Sequence, residues 1–183
     1  MRRCLFLLLF LPFLASCINN MDDIQRISLK KNTPDEAIID FRLIYNESGS
    51  AKVEVLSAYS ESFRQPEYIT YLRDSLRVNF FSEDGTVKSS LTAKFGKINH
   101  TKDMIEIRDS IQFYNYGKKQ LMKTELLYWN RKDSTISTDK PVIVIAPNGY
   151  FYGKGVRAKQ DFSSYEILKP EGHLIIEKEN EFN

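Results

Sequence analysis

Two cysteines and two histidines are the only thiols and imidazoles in the 183-residue chain. His100 falls in a predicted turn and His173 stands beside Gly172, and neither has metal-ligand or triad company nearby in sequence. Both read as solvated turn histidines, and the pattern assigns no metal, no cofactor and no catalytic residue. Gly153-Lys154-Gly155 lacks the glycine-lysine-serine spacing and the strand-to-helix setting of a phosphate loop. No block of Lys and Arg interleaved with aromatics is present, so nucleic acid is not an expected partner. A long apolar run is missing too. The stretch from Cys4 to Phe13 is about half of the roughly 20 residues that a spanning helix needs, and it contains Pro12.

That short run follows Arg2 and Arg3 and precedes Leu14-Ala15-Ser16-Cys17, which is the layout of a signal peptide over residues 1–16. The ending resembles a bacterial lipobox, which makes Cys17 the expected lipidation site and the first residue of the mature chain. Lipidation consumes a thiol that would otherwise stay reactive in an exported protein. Cys4 leaves with the signal, so no disulfide is expected and stability must come from packing. The formal charge of +2 disappears as well, since loss of Arg2 and Arg3 leaves 24 basic against 24 acidic residues. Residues 17–32 read as a lipidated N-terminus and polar tether, and residues 33–183 as a single domain.

In that body Gly49, Gly85, Gly117 and Gly149 recur at near-regular intervals, each followed by an alternating run. Such a period marks supersecondary units that bury their apolar faces by stacking on one another. Ala51-Val53-Val55, Val87-Ser89-Leu91-Ala93, Ile105-Ile107, Ile111-Phe113, Val142-Val144 and the run Leu174 to Ile176 alternate in steps of two, which places them on sheet faces. Turn residues between the runs join neighbouring strands as hairpins. Two stretches compete with this reading. Thr33-Pro34-Asp35-Glu36 has the form of a helix start, worth at most one turn, and Tyr59 to Ser75, where Pro66 and the mixed run Glu67 to Tyr71 break the alternation, reads as a longer, part-helical loop. Gly153 and Gly155, two glycines in one strand, mark a bend or the close approach of a partner. The chain carries 12 Phe, 10 Tyr and one Trp, weight that serves equally a packed sandwich core or an apolar groove for hydrocarbon chains.

The order Thr33-Pro34-Asp35-Glu36, Tyr45 to Gly49, Phe80 to Gly85 with Leu91-Thr92-Ala93, Thr124 to Trp129 with Ser137 to Val142, and Gly149 to Gly155 with Asp161 to Tyr165 resembles the LptC family. The resemblance covers roughly residues 32–176 and rests on order and spacing rather than on one motif. It implies an all-β fold of stacked antiparallel hairpins, a twisted and partly open β-jelly roll like that of LptA and its relatives. It further implies lipopolysaccharide transport: acyl chains of lipid A held in an apolar groove, inner-membrane ABC transporter subunits on one side, and an LptA-like bridge protein on the other, joined by edge-strand pairing. On that basis Val53, Val55, Leu91, Ile107, Phe113, Val142, Val144 and Phe151 are the expected groove lining. Better-known members carry a transmembrane helix where this chain has Cys17, which makes the lipid anchor the expected tether, with the inner membrane its expected place. Two alternatives stay open: an adaptor lipoprotein with a closed β-sandwich core and no cargo, and a secreted glycan hydrolase, which would need a carboxylate pair at matched separation.

Overall fold

The computed structural model of the chain describes residues 33–47 and 49–175, and for Leu174 and Ile175 the backbone alone. The signal peptide, Cys17, the tether and Ile176 lie outside the described residues. Ten strands follow one another, with no helix among the described residues: β1 (Glu36–Glu47), β2 (Ser50–Phe63), β3 (Ile69–Phe81), β4 (Val87–Ala93), β5 (Phe95–Asn99), β6 (Met104–Asn115), β7 (Gln120–Asn130), β8 (Thr135–Ala146), β9 (Gly149–Lys159) and β10 (Tyr165–Ile175). They form one antiparallel sheet in the order β1-β2-β3-β4-β6-β7-β8-β9-β10, and β5 pairs with β3 and β6. The repeat glycines mark alternate connections along it: Gly49 before β2, Gly85 between β3 and β4, Gly117 between β6 and β7, and Gly149 at the start of β9. The expected hairpin stack and its all-β class are what the chain adopts.

A crease crosses this sheet at mid-strand. In β3, β6 and β8 the inward alternation runs through Thr70-Leu72, Ile105-Ile107 and Ile136-Thr138, then resumes at Leu76-Val78-Phe80, Ile111-Phe113 and Val142-Val144. The position between, where the period calls for another buried residue, holds Asp74, Asp109 or Lys140, and each is exposed. Asp40, Asp74, Asp109 and Ser110 have positive φ, a left-handed conformation that Asp tolerates better than most residues. The returning strands break at the same level. Ser57 Oγ donates to both Tyr59 O and Arg73 O at a register shift in β2, Lys94 N donates to Asp109 O between β4 and β5, and Gly155 has φ +80° in β9.

The crease divides the sheet into two leaves that face one another. One leaf runs from the crease to the glycine turns, and is called the glycine leaf below. The other, the loop leaf, runs to the connections 64–68, 100–103, 131–134 and 160–164. Phe80 of the glycine leaf meets Trp129 of the loop leaf at a ring separation of 5.5 Å, and both belong to a single apolar core. Burying a side chain of this size contributes about 1.5–3 kcal/mol.

Two sequence expectations are corrected. No helical turn forms at Thr33–Glu36, because Asp35 N donates to Ser62 O at 2.8 Å and its carboxylate accepts from Arg64 N at 2.6 Å, which lays the segment beside β2. Nor is Tyr59 to Ser75 a long loop. β2 continues to Phe63 and β3 begins at Ile69, so only residues 64–68 connect them. The bulge after Ser57 and the exposed triplet Arg73-Asp74-Ser75 interrupt the alternation without ending the strands.

Candidate functional site

Register across the glycine leaf lines up a row of inward residues from one sheet edge to the other. Leu43, Val55, Val78, Leu91, Phe113, Met122, Val144, Phe151 and His173 are successive cross-strand partners, on β1, β2, β3, β4, β6, β7, β8, β9 and β10 in turn. Directly opposed residues in an antiparallel ladder share a face and touch. The row is therefore a continuous apolar track that ends on a histidine. Its middle is covered by the loop leaf, with Phe113 and Val144 at 0% exposure, whereas Leu43 at the β1 end is 45% exposed and Phe151 near the β10 end is half-buried.

Five of the eight expected lining residues, Val55, Leu91, Phe113, Val144 and Phe151, stand in this row. Val53 sits one position along β2, opposite Phe80, and Val142 faces Gly153. Ile107 lies on the loop leaf and belongs to the same core. Val78 and Met122 complete the row. Val78 belongs to the alternating run Leu76-Val78-Phe80, whereas Met122 follows Leu121 directly, so alternation in the sequence does not choose between those two. Gly153 packs so closely on β10 that a Cβ would collide with the Lys169 carbonyl oxygen, and Gly155 lies in the crease, where a Cβ would come within 3.2 Å of Thr138 O.

A second feature is buried with no local signal of that burial in the sequence. The connection 160–164 leaves the loop leaf and crosses to the glycine leaf. Phe162, at positive φ and fully buried, stacks on Phe113 at 5.2 Å and on Tyr165 at 4.9 Å. Asn115 Nδ2 donates to Phe162 O at 3.1 Å, Lys118 Nζ donates to Ser163 O at 2.6 Å, and Lys88 pairs with Asp161 at 3.0 Å. Burial opposes ionisation of Asp161, but hydrogen bonds from Ser163 and the Lys88 ammonium outweigh it and hold the carboxyl below its ordinary range. An aromatic flanked by Asp and two serines looks like a surface turn in sequence. Only its stack on Phe113 and its hydrogen bond from Asn115 show it as the clasp between leaves.

Polar groups on the inner face are few. Ser89, fully buried between Phe80 and Asn115 in register, has no partner for its hydroxyl among the described residues. Leaving such a group unsatisfied costs about 1–3 kcal/mol. No group of three or more His, Cys, Asp or Glu among the described residues is arranged to hold a metal ion, and no described helix is long and apolar enough to cross a membrane.

One antiparallel sheet, creased so that its two leaves enclose an apolar row, is a β-jelly roll built from hairpins. The chain belongs to the LptC family, since the family model described as lipopolysaccharide-assembly, LptC-related, matches residues 5–170. No curated protein gives a significant match. Membership gives the chain a role in lipopolysaccharide transport and makes it a periplasmic, envelope-associated protein. LptC is a transport component and not a known enzyme family.

Proposed function

We propose that the inner face of the glycine leaf carries the acyl chains of lipid A, and that the chain passes lipopolysaccharide from inner-membrane ABC transporter subunits to an LptA-like bridge protein. The observation that carries this reading is the row from Leu43 to His173, because its apolar part reaches from the β1 edge to Phe151 on the strand next to the β10 edge. Apolar lining with few polar groups is what a hydrocarbon ligand requires. Phe113 and Val144 are fully covered, so chains reach the middle of the row as the leaves part. β1 and β10 each pair on one side only among the described residues, which leaves backbone donors and acceptors for a neighbouring jelly roll to extend the sheet. In this reading an acyl group on Cys17 tethers residues 17–32 to the inner membrane and residues 33–183 work as one domain. Gly153 and Gly155 then keep the last strands close enough to continue the row.

The same burial of Phe113 and Val144 favours one competing reading, an adaptor with a permanently closed core and no cargo. Photo-crosslinking residues at Val144, Phe151 and, as an outward control, Tyr128 separate the two in living cells. Lipopolysaccharide adducts at Val144 and Phe151 and none at Tyr128 are the expected result. Normal protein levels with no adduct at either inward position would sink the cargo reading and leave the adaptor.

A further inference from the structure

The outward face of the glycine leaf differs in composition from the rest of the molecule. Residues 111–124 and 140–154, which contain the glycine-leaf halves of β6, β7, β8 and β9, include no Asp, Glu or Arg, and of their five lysines Lys123 and Lys154 stand on the outward face, while Lys118 reaches to the clasp and Lys140 lies in the crease beside Asp139. Two adjacent cross-strand rows face outward there. The first runs Tyr114, Leu121, Ile145, Tyr150, and the second runs Lys123, Ile143, Tyr152. Ile143 is 46% exposed, and Tyr150 and Tyr152 are each 38% exposed. Closer to the crease, Lys154 stands directly opposite Lys169 of β10, both exposed and neither with a carboxylate partner among the described residues. Like charges placed opposite one another on a sheet are destabilising. An anion lying over the face removes that cost.

We propose that this face rests on the headgroups of an anionic membrane surface. Tyrosine combines an apolar ring with a polar tip, and lysine lays an apolar stem along a surface while its ammonium reaches for charge, so both suit the boundary between headgroup and hydrocarbon. Tyr is common at protein interfaces too, but those are enriched in Arg and depleted in Lys, whereas these four half-strands hold Lys and no Arg. The docking is independent of any cargo on the inner face. It would orient the track relative to the bilayer, with the glycine leaf toward the lipid and the loop leaf away.

Flotation of the full chain with phosphatidylcholine vesicles and with mixed phosphatidylcholine–phosphatidylglycerol vesicles tests it. The N-terminal segment is common to every variant, so differences between variants report the face. The unaltered chain is expected to prefer the anionic vesicles, less so as salt rises. Lys123→Gln/Lys154→Gln/Lys169→Gln should lower affinity for anionic vesicles about a hundredfold, at about fivefold per lysine, with binding to neutral vesicles unchanged. Tyr150→Ser/Tyr152→Ser should weaken binding to both. A matched set elsewhere, Lys94→Gln/Lys132→Gln/Lys159→Gln, should change neither. Thermal melts of each variant confirm that it folds. Equal losses from the two lysine sets, or no preference for anionic vesicles in the unaltered chain, would overturn the proposal. So would retention of vesicle binding by the first set together with loss of an acidic protein partner, which would reassign the face to protein docking.

Discussion

The two rims of the folded sheet are held in different ways. Along the loop leaf each connection is bonded to the next: His100 N donates to Tyr68 O at 3.0 Å, Arg131 N to Asp103 O at 3.0 Å, and Gln160 N to Ser134 O at 2.9 Å. Side chains add to this chain of contacts, with Arg131 Nη2 on Asp103 at 2.7 Å and Trp129 Nε1 on Gln160 Oε1 at 3.1 Å. Along the glycine leaf the turns close mostly on themselves, as Gly85 N does on Ser82 O and Lys119 N on Tyr116 O, and Tyr116 N on Lys88 O is a link between neighbours. One rim is stitched from end to end. The other is a set of separate tips, and the clasp at 160–164 is what fastens it to the opposite leaf. This asymmetry suits the proposed parting of the leaves, because backbone ladders and one stitched rim would keep the strands in register.

The largest effect expected from testing that contrast lies at the clasp. Phe113→Ala removes the ring that stacks on both Phe80 and Phe162 in a fully buried site, and should cost about 3–5 kcal/mol in urea unfolding. Cutting a stitch in the loop rim, as Arg131→Ala does, removes an exposed ion pair and should cost about 0–1 kcal/mol. If the two losses were equal, the leaves would be held by their rims and not by the clasp.

A middle-sized effect concerns the free tips. Gly85 has φ +82°, where a side chain is strained, whereas Gly117 is not at positive φ and Lys119 in the same turn takes the left-handed conformation instead. Gly85→Ala should therefore cost about 1–2 kcal/mol, and Gly117→Ala, whose Cβ would meet only Asn115 Oδ1 at 3.6 Å, should be close to neutral. Thermal melts of the two variants decide it. Equal destabilisation would mean that the tips are alike and that the glycine period reflects something other than turn conformation.

That period makes the stack legible in the amino-acid sequence, because a glycine turn followed by alternation is a local signal. The crease is just as local, yet alternation alone passes over it. Asp74, Asp109 and Lys140 recur at 35 and 31 residues, nearly the glycine spacing, at positions where an uninterrupted strand would bury them. Asp is disfavoured within strands and tolerant of positive φ, so its recurrence in mid-run carries the fold of the sheet onto itself. The candidate site is legible only in part. Val55, Leu91, Phe113, Val144 and Phe151 show themselves by alternation, but their alignment as one row depends on register set by bulges at Ser57, Arg108 and Thr138, which no single strand announces. Phe162 is not legible at all, since its burial depends on Asn115, 47 residues earlier.

The smallest effect separates the rims by pH. His100 in the stitched rim stacks on Tyr68 at 4.0 Å and shares a hydrogen bond with Thr70 Oγ1 at 2.9 Å, which in turn bonds Ser62 Oγ. Burial lowers its pKa from the ordinary 6.5, the Arg131 charge lowers it further, and Asp103 opposes the shift. The folded chain thus prefers the neutral ring and the unfolded chain takes up the proton more readily. The resulting stability is complete above pH 6.5 and is lost as pH falls through the lower folded value. His100 remains partly open to solvent, which keeps the effect small. Unfolding midpoints of the unaltered chain should drop on mild acidification more than those of His100→Gln. Amide exchange at Tyr68 and His100 should quicken over the same range while exchange at Ser82 and Tyr116 in the glycine rim does not, and quickening at both rims alike would show that acid loosens the sheet as a whole.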